Sequence, residues 1–254
     1  MALPVGGDFW LALFEKARAE GWGLIGYEQD WMDVQTERLP ALTRNATLGR
    51  TWLLEMGLAA DAMGISIQYC MSWCRHILAS VEVPAVTQAR ASGDYRAGNM
   101  LWQRLGIVSL LLYALMQATA ASCALCMLLT SHMRASALHR YALGLAPSKD
   151  TFWSITHQPG NIWGERTVEP HPRLQAAVAT LSRGPVAPSD AIGRSDRDLI
   201  MRSANSAGTL LQPDEPAIAL DIAIVAAARG SPIGELLPRR ERVPSPPPSR
   251  SSSS

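Results

Sequence analysis

The fold of this chain is decided by the stretch Asn45–Cys70, NATLGRTWLLEMGLAADAMGISIQYC. Its first part carries apolar side chains at helical spacing, namely Leu48, Trp52, Met56 and Ala59. We therefore expect a helix from Asn45 to Met63, with Asn45 as the N-cap and Gly64 as the stop. The alternation over Ile65–Cys70 then predicts a strand. A helix followed by a strand is the repeating unit of α/β proteins.

The same order of helix and strand recurs up to about residue 220. Further helices are expected over Asp8–Ala19, from about Arg75, over Leu174–Leu181 and over Ser195–Ala207. Further strands are expected over Leu24–Tyr27, Val83–Ala91, Tyr141–Ala146 and Pro185–Ala187. In the first helix, the buried face is expected to consist of Phe9, Leu13 and Ala17. Strands that alternate with helices in this way predict a parallel α/β architecture of about five βα units.

Composition sets the limits on domain organisation and partners. The chain has 254 residues, of which 48% are hydrophobic, so it can form a sizeable core. The formal net charge is only +1, which argues against nucleic-acid binding driven by bulk charge. We therefore expect no nucleic-acid partner and one α/β domain over residues 1–220. Residues 221–254 are rich in Pro, Ser and Arg and predict a disordered tail.

Two overlapping segments interrupt the α/β pattern. Residues 116–140 do not show the sequence pattern of a strand followed by a helix. They lie between two copies of Tyr-Ala-Leu, so an insert is suspected there. Residues 105–130 contain no Asp, Glu, Lys, Arg or His, and this length can cross a bilayer. A membrane span, a buried helix and an inserted segment remain alternatives. Because the N-terminus lacks a basic region, a secretory signal is not expected and a cytoplasmic location is favoured over a membrane one.

Carboxylates that follow the expected strands are the candidates for chemistry. Asp30 and Asp94 each come just after a strand, and Trp31 places an aromatic ring beside Asp30. Retaining glycoside cleavage uses two carboxyl groups about 5–5.5 Å apart, and a β/α barrel supplies such groups from the ends of different strands. Asp33 competes with Asp30 for the same role, and ordinary helix capping is the alternative interpretation for all three.

The cysteines do not predict a metal site. Cys70 and Cys74 are four residues apart, and Cys123 and Cys126 have the spacing of a zinc knuckle. However, the second pair lies in the apolar segment and no His is placed to complete a cluster. We expect buried thiols, no metal and no organic cofactor.

Two motifs resemble one carbohydrate-active family. Tyr69–Ser72 and Val86–Tyr95 are similar to motifs of the raffinose synthases and their alkaline α-galactosidase relatives. Arg90 and Asp94, in the pattern Arg-x-x-x-Asp, also resemble the lysosomal-type α-galactosidases. These belong to the glycoside hydrolase clan of α-galactosidases. The resemblance implies a TIM barrel, with Asp94 as acid/base and Arg90 in contact with the sugar.

Three further stretches resemble the same family in the right order: Gly26–Trp31, Pro147–Phe152 and Ser182–Asp190. The first has an Asp, Asp30, where the family has its nucleophile. The resemblance also implies that Trp31, Cys70 and Asp150 line the substrate pocket. It covers about residues 20 to 215, without the suspected insert.

The chain departs from the family in three ways. The family usually has a Lys two residues before the nucleophile, and here that residue is Glu28, which puts galactose specificity in doubt. Gly93 replaces one of a pair of Asp residues. The nucleophile normally ends the fourth barrel strand, so the chain resembles a partial (β/α)8 barrel of about strands 4–8.

These observations predict a retaining hydrolase or transglycosidase that acts on α-glycosides, with an oligosaccharide or glycoside as its substrate. Two alternatives stay open. The first is a catalytically inactive barrel fragment, and the second is a membrane-associated protein that uses residues 105–130. The sequence predicts neither the sugar nor the oligomeric state.

Overall fold

The computed structural model describes residues 3–4, 6–98, 141–162, 164 and 167–217. Its helices are α1 (Gly7–Ala19), α2 (Met32–Arg38), α3 (Pro40–Arg44), α4 (Leu48–Ala62), α5 (Cys74–Ala79), α6 (Pro172–Leu181) and α7 (Arg197–Ile200). Its strands are β1 (Gly26–Gln29), β2 (Ser66–Tyr69), β3 (Val86–Arg90) and β4 (Ala146–Ser148). Short 3-10 turns occupy Ser80–Glu82 and Met201–Ser203. Helices and strands alternate through most of this region, which confirms the α/β prediction.

The four strands form one parallel sheet in the order β1-β2-β3-β4. Each strand therefore pairs with the one that precedes it in the chain. Beyond β4, Phe152 and Pro188 form an isolated parallel bridge, so the pairing extends one step further in the same direction. Consecutive parallel strands need crossovers on one face of the sheet, and helices supply those crossovers between β1, β2 and β3.

The register of the strands gives the sheet one apolar and one polar face. Residues aligned across a parallel ladder lie on the same face, and successive residues alternate between faces. One face carries Ile67, Tyr69 and Ala89, which belong to the main core. The other face carries two rows of polar side chains. The lower row is Glu28, Gln68 and Gln88, and the row at the strand ends is Asp30, Cys70, Arg90 and Ser148.

The apolar face packs against α1 and α4. Buried Trp10 and Phe14 of α1 lie against Tyr27, with ring centroids 5.9 and 5.4 Å away, and α4 adds Trp52 and Met56 to the same core. Burying a side chain of this size stabilises the fold by about 1.5–3 kcal/mol. This core fixes β1 and β2 and therefore the residues that follow them.

The predicted face of α1 is partly wrong. Ala17 is buried as expected, but Phe9 and Leu13 are exposed, and Trp10 and Phe14 take the inner positions. The inner face consists of Trp10, Phe14 and Ala17, spaced i, i+4 and i+7, which buries the larger Trp10 ring next to Phe14. Large aromatic rings contribute the most apolar area, so they decide which face turns inward.

Two predicted elements in the second half are also corrected. Tyr141 is helical rather than extended, and the strand is β4, which begins at Ala146. The helix expected over Ser195–Ala207 is only the short α7, with a 3-10 turn after it. The side chain of Asn205 accepts hydrogen bonds from the backbone of Ala207 and Thr209, both at 3.0 Å, and this turn diverts the chain from a helix.

Several expectations concern residues outside the described ranges. These are the suspected insert at 116–140, the apolar segment at 105–130, the tail at 221–254 and the pair Cys123 and Cys126. None of the helices in the described part of the chain has the length and apolar character that a membrane crossing needs.

Gly184 is a position where a single methyl group is expected to destabilise the fold. Its N–H donates to the backbone oxygen of Pro147 at 2.7 Å, so the chain here lies against β4. A Cβ atom on Gly184 would lie 2.6 Å from that oxygen and 2.7 Å from Cβ of Ser148. We expect Gly184→Ala to lower the free energy of unfolding by about 2 kcal/mol, because backbone atoms must shift.

Urea unfolding followed by circular dichroism measures this effect. The matched control is Gly7→Ala in α1, where an added Cβ meets no atom within 4 Å. The control should be neutral or stabilising by about 0.5–1 kcal/mol. Equal midpoints for the two variants would contradict the close approach of Gly184 to β4.

Candidate functional site

The candidate site lies at the carboxyl ends of the strands, with Arg90 at its centre. The Arg90 side chain is only 9% exposed, and its Nη2 atom lies 2.7 Å from Oδ1 of Asp94. Its Nη1 atom lies 3.2 Å from Oδ1 of Asp150, which follows β4. The Sδ atom of Met71, after β2, lies 3.0 Å from Nη2. The guanidinium group therefore connects the ends of β2, β3 and β4.

Asp150 is held rigidly. Its backbone N–H donates to Oγ of Ser92 at 2.8 Å, and the N–H of Tyr95 donates to its Oδ2 atom. Asp94, in contrast, is 60% exposed and has Arg90 as its ion-pair partner. Of the two carboxylates on Arg90, Asp150 fixes the guanidinium and Asp94 faces solvent.

Asp30 lies beside Glu28 and Cys70 on the polar face. One ligand atom from each of the three lies within 4.8 Å of the others. Asp30 is half-buried, and its Oδ1 atom accepts the backbone N–H of Trp31 at 2.7 Å. Arg90 is close enough to interact electrostatically with both Asp30 and Cys70. The residues predicted from the sequence are thus brought together at one edge of the sheet.

Cys70 is fully buried, as expected for a buried thiol, whereas the resemblance implies that it lines the pocket. Burial is the main cause of a strongly raised pKa for its thiol, and the carboxylates of Asp30 and Glu28 raise it further, against the lowering effect of Arg90. The guanidinium group of Arg90 interacts electrostatically with Asp30 and Cys70, and its positive charge would repel a cation bound by these side chains.

The backbone after β1 and β2 adopts a left-handed conformation that non-glycine residues rarely take. Trp31 has φ 57° and Met71 has φ 49°. Such strain persists where the surrounding structure holds it in place, and it is concentrated at functional sites. The Trp31 side chain is 55% exposed, so its ring offers an open apolar surface next to Asp30.

Asp33 is a weaker candidate than Asp30. It lies in the first turn of α2, is buried, and accepts the N–H of Val34 at 2.7 Å. Its own N–H donates to the backbone oxygen of Met71 at 2.9 Å. These contacts place Asp33 within the first turn of α2, where Trp31 is the N-cap residue.

Sequence reasoning missed a buried cluster behind Asp150. Nζ of Lys149 donates to the backbone oxygens of Asp150 and Thr151 at 3.1 and 2.6 Å. It lies 4.9 Å from the ring centroid of Tyr95, and burial lowers its pKa to about 8. The hydroxyl of Tyr95 donates to the fully buried Glu169 at 2.9 Å. Glu169 belongs to no strand or helix, so no periodic pattern could have identified it.

Asp190, which also follows an expected strand, has a structural role. It accepts hydrogen bonds from the backbone N–H of Ser154 at 2.8 Å and from its hydroxyl at 2.6 Å. The amide of Gln158 donates to the same carboxylate at 2.5 Å. These bonds tie the segment after β4 to the segment near residue 190.

The chain gave no match to any protein-family model, curated protein or solved structure. The chemistry of the site must therefore be argued from its own geometry. That geometry consists of two carboxylates in the segments after β1 and β3, a buried guanidinium that pairs with Asp94 and interacts electrostatically with Asp30, and an exposed indole beside Asp30.

Proposed function

We propose that this chain is part of a retaining glycosidase barrel, about strands 4–8, that hydrolyses or transfers α-glycosides. The observation that carries the proposal is the position of Asp30 and Asp94. They follow β1 and β3 at the same edge of the sheet, and Arg90 pairs with Asp94 and interacts with Asp30. Double displacement on a sugar uses two carboxyl groups about 5–5.5 Å apart, one as nucleophile and one as acid/base, and the proposal gives these roles to Asp30 and Asp94.

The sheet supports the barrel interpretation. Strands that pair in chain order, with helices on one face, are typical of a β/α barrel, and the active sites of such barrels lie at the carboxyl ends of the strands. In this interpretation the polar face with Glu28, Gln68 and Gln88 turns toward the barrel axis. The proposal also includes further strands, which would complete the barrel.

The proposed reaction has two steps. In the first step, the Asp30 carboxylate attacks the anomeric carbon and the bond to the leaving oxygen breaks, while Asp94 gives its proton to that oxygen. In the second step, Asp94 takes a proton from water or an acceptor hydroxyl, whose oxygen displaces Asp30. Arg90 donates to a sugar hydroxyl, Trp31 stacks on the ring, and Asp150 holds Arg90.

A second candidate function is binding of a glycoside without turnover. The observation that favours it is the ion pair of 2.7 Å between Arg90 and Asp94, because this pair occupies a carboxylate oxygen of the proposed acid/base. For catalysis, the exposed Asp94 must exchange this contact for the leaving oxygen of the substrate.

Covalent trapping tests the proposal and separates the two candidates. Fluorinated α-glycosyl fluorides of several sugars should react with the purified full chain and leave one glycosyl group on Asp30, which peptide mass spectrometry locates. Asp30→Asn should stay unlabelled, whereas Asp61→Asn, which alters an exposed carboxylate on α4, should be labelled like the wild type. Binding of a sugar without labelling would favour the second candidate, and a label elsewhere would overturn the assignment of Asp30.

A further inference from the structure

Two charged side chains, Lys149 and Glu169, are buried behind Asp150 and have no part in the proposed reaction. Lys149 is 2% exposed and Glu169 is fully buried. A charge in such a place costs free energy unless hydrogen bonds and opposite charges compensate it. Burial lowers the pKa of Lys149 to about 8, and the carboxylates of Asp150 and Glu169 act in the opposite direction. The two charges therefore compensate each other in part, and their contacts indicate which neighbours they hold.

Tyr95 is in contact with both charges. Nζ of Lys149 lies 4.9 Å from the centroid of the Tyr95 ring, and the Tyr95 hydroxyl donates to Oε2 of Glu169 at 2.9 Å. Glu169 is held in turn by the N–H of His171 at 2.9 Å and by the amide of Gln175 at 3.2 Å. Tyr95 is therefore fixed by a cation at its ring and by a carboxylate at its hydroxyl.

The same residues fix Asp150. The N–H of Tyr95 donates to Oδ2 of Asp150, and Nζ of Lys149 donates to the backbone oxygens of Asp150 and Thr151 at 3.1 and 2.6 Å. The other carboxylate oxygen, Oδ1, lies 3.2 Å from Nη1 of Arg90. One oxygen of Asp150 thus contacts Tyr95 and the other contacts Arg90. A shift of Tyr95 or of the Asp150 backbone would therefore turn the carboxylate away from the guanidinium group.

Arg90 connects this buried cluster to the proposed reaction. Its Nη2 atom lies 2.7 Å from Oδ1 of Asp94, the proposed acid/base. A guanidinium group held by one rigid carboxylate presents its other donors in a fixed direction, and such orientation contributes to catalysis. We propose that Lys149 is a positioning residue that holds Asp150 and thereby sets the orientation of Arg90. This inference rests on the proposed function and adds a residue that positions its machinery.

The alternative is that Lys149 only stabilises the fold as the counter-charge of Glu169. Lys149→Met alone leaves Glu169 uncompensated and should lower the urea midpoint. The double variant Lys149→Met with Glu169→Gln removes both buried charges, and its amide oxygen can still accept the Tyr95 hydroxyl, so the midpoint should largely recover. Methionine cannot donate to the backbone oxygen of Asp150. The double variant therefore separates the positioning role from the stabilising one.

Heteronuclear NMR of the arginine side chains in the full chain tests the inference, with the Arg90 signals assigned from Arg90→Gln. In the wild type, separate Nη1 and Nη2 signals are expected, because a different carboxylate holds each atom. In Lys149→Met and in the double variant, rotation of the Arg90 guanidinium group should be about tenfold faster. Turnover of an aryl α-glycoside should fall about tenfold or more in both variants. Lys16→Met alters the other lysine of the chain, which is 74% exposed on α1, and should change neither measurement.

The outcomes separate the two proposals. Arg90 signals in the double variant that match those of the wild type would overturn the inference and leave the proposed function standing. Turnover that recovers together with the urea midpoint would overturn it as well, because Lys149 would then only stabilise the fold. Faster rotation of Arg90 with reduced turnover at a recovered midpoint would support it. Absence of turnover and of Asp30 labelling in the wild type would overturn the proposed function itself, and the Arg90 signals would still show whether Lys149 orients Arg90.

Discussion

Asp30→Asn is expected to lower kcat for an aryl α-glycoside by about a thousandfold or more. The amide has nearly the shape of the carboxylate but cannot attack the anomeric carbon, so the covalent glycosyl-enzyme intermediate cannot form. The hydrogen bond from the N–H of Trp31 to Oδ1 of Asp30 can be kept by the amide oxygen, so the local backbone should persist. Steady-state kinetics measures the loss, and circular dichroism checks that the fold is retained.

Two further variants make this result specific. Asp30→Ala with added azide should recover turnover, because the small anion can attack in place of the missing carboxylate. Asp94→Asn should depend on the leaving group, with small losses for activated phenols, which need little protonation, and large losses for sugars. Asp61→Asn is the surface control. Full activity of Asp30→Asn would show that Asp30 is not the nucleophile.

Arg90→Gln is expected to lower the free energy of unfolding by about 3 kcal/mol. Asp150 is only 18% exposed and forms its ion pair with Arg90. Removing one partner of a buried pair leaves an uncompensated charge, which costs more than the pair itself contributes. Asp94 contributes little to this loss, because it is exposed and solvated. Denaturant unfolding at neutral pH measures the change.

The double variant Arg90→Gln with Asp150→Asn should recover a large part of that loss, because the uncompensated charge is removed. The matched control is Arg50→Gln. Arg50 pairs with Glu82 at 2.5 Å, but both side chains are more than half exposed, so the expected loss is below about 1 kcal/mol. Equal losses for Arg90→Gln and Arg50→Gln would mean that the Arg90 pair is not buried in solution.

The parts of the fold that depend on local pattern were predictable. The helix in Asn45–Cys70 begins and ends within a few residues of α4, and Ile65–Cys70 contains β2. Although Asn45 lies two residues before the N-cap, its Oδ1 accepts the N–H groups of Thr47 and Leu48 at 2.9 and 3.1 Å. It also followed from the sequence that the strand-end residues lie at the same edge of the sheet, because parallel strands run in one direction.

The parts that depend on tertiary contacts were not predictable. The helices α2 and α3 follow a left-handed Trp31, a conformation that no residue preference indicates. The charge cluster of Lys149 and Glu169 arises from residues far apart in the chain. A single sequence does not reveal such pairings.

The strand order also has a consequence for how the chain folds. Each strand pairs with its predecessor, so β1, β2 and β3 can assemble in turn as the chain leaves the ribosome. Among the described strands, the longest interval is between β3, which ends at Arg90, and β4, which begins at Ala146. Closing a loop about three times longer than the shortest one costs only about 1 kcal/mol more in entropy. The joining of β4 is therefore expected to be the late step of folding, and with it the Arg90–Asp150 contact.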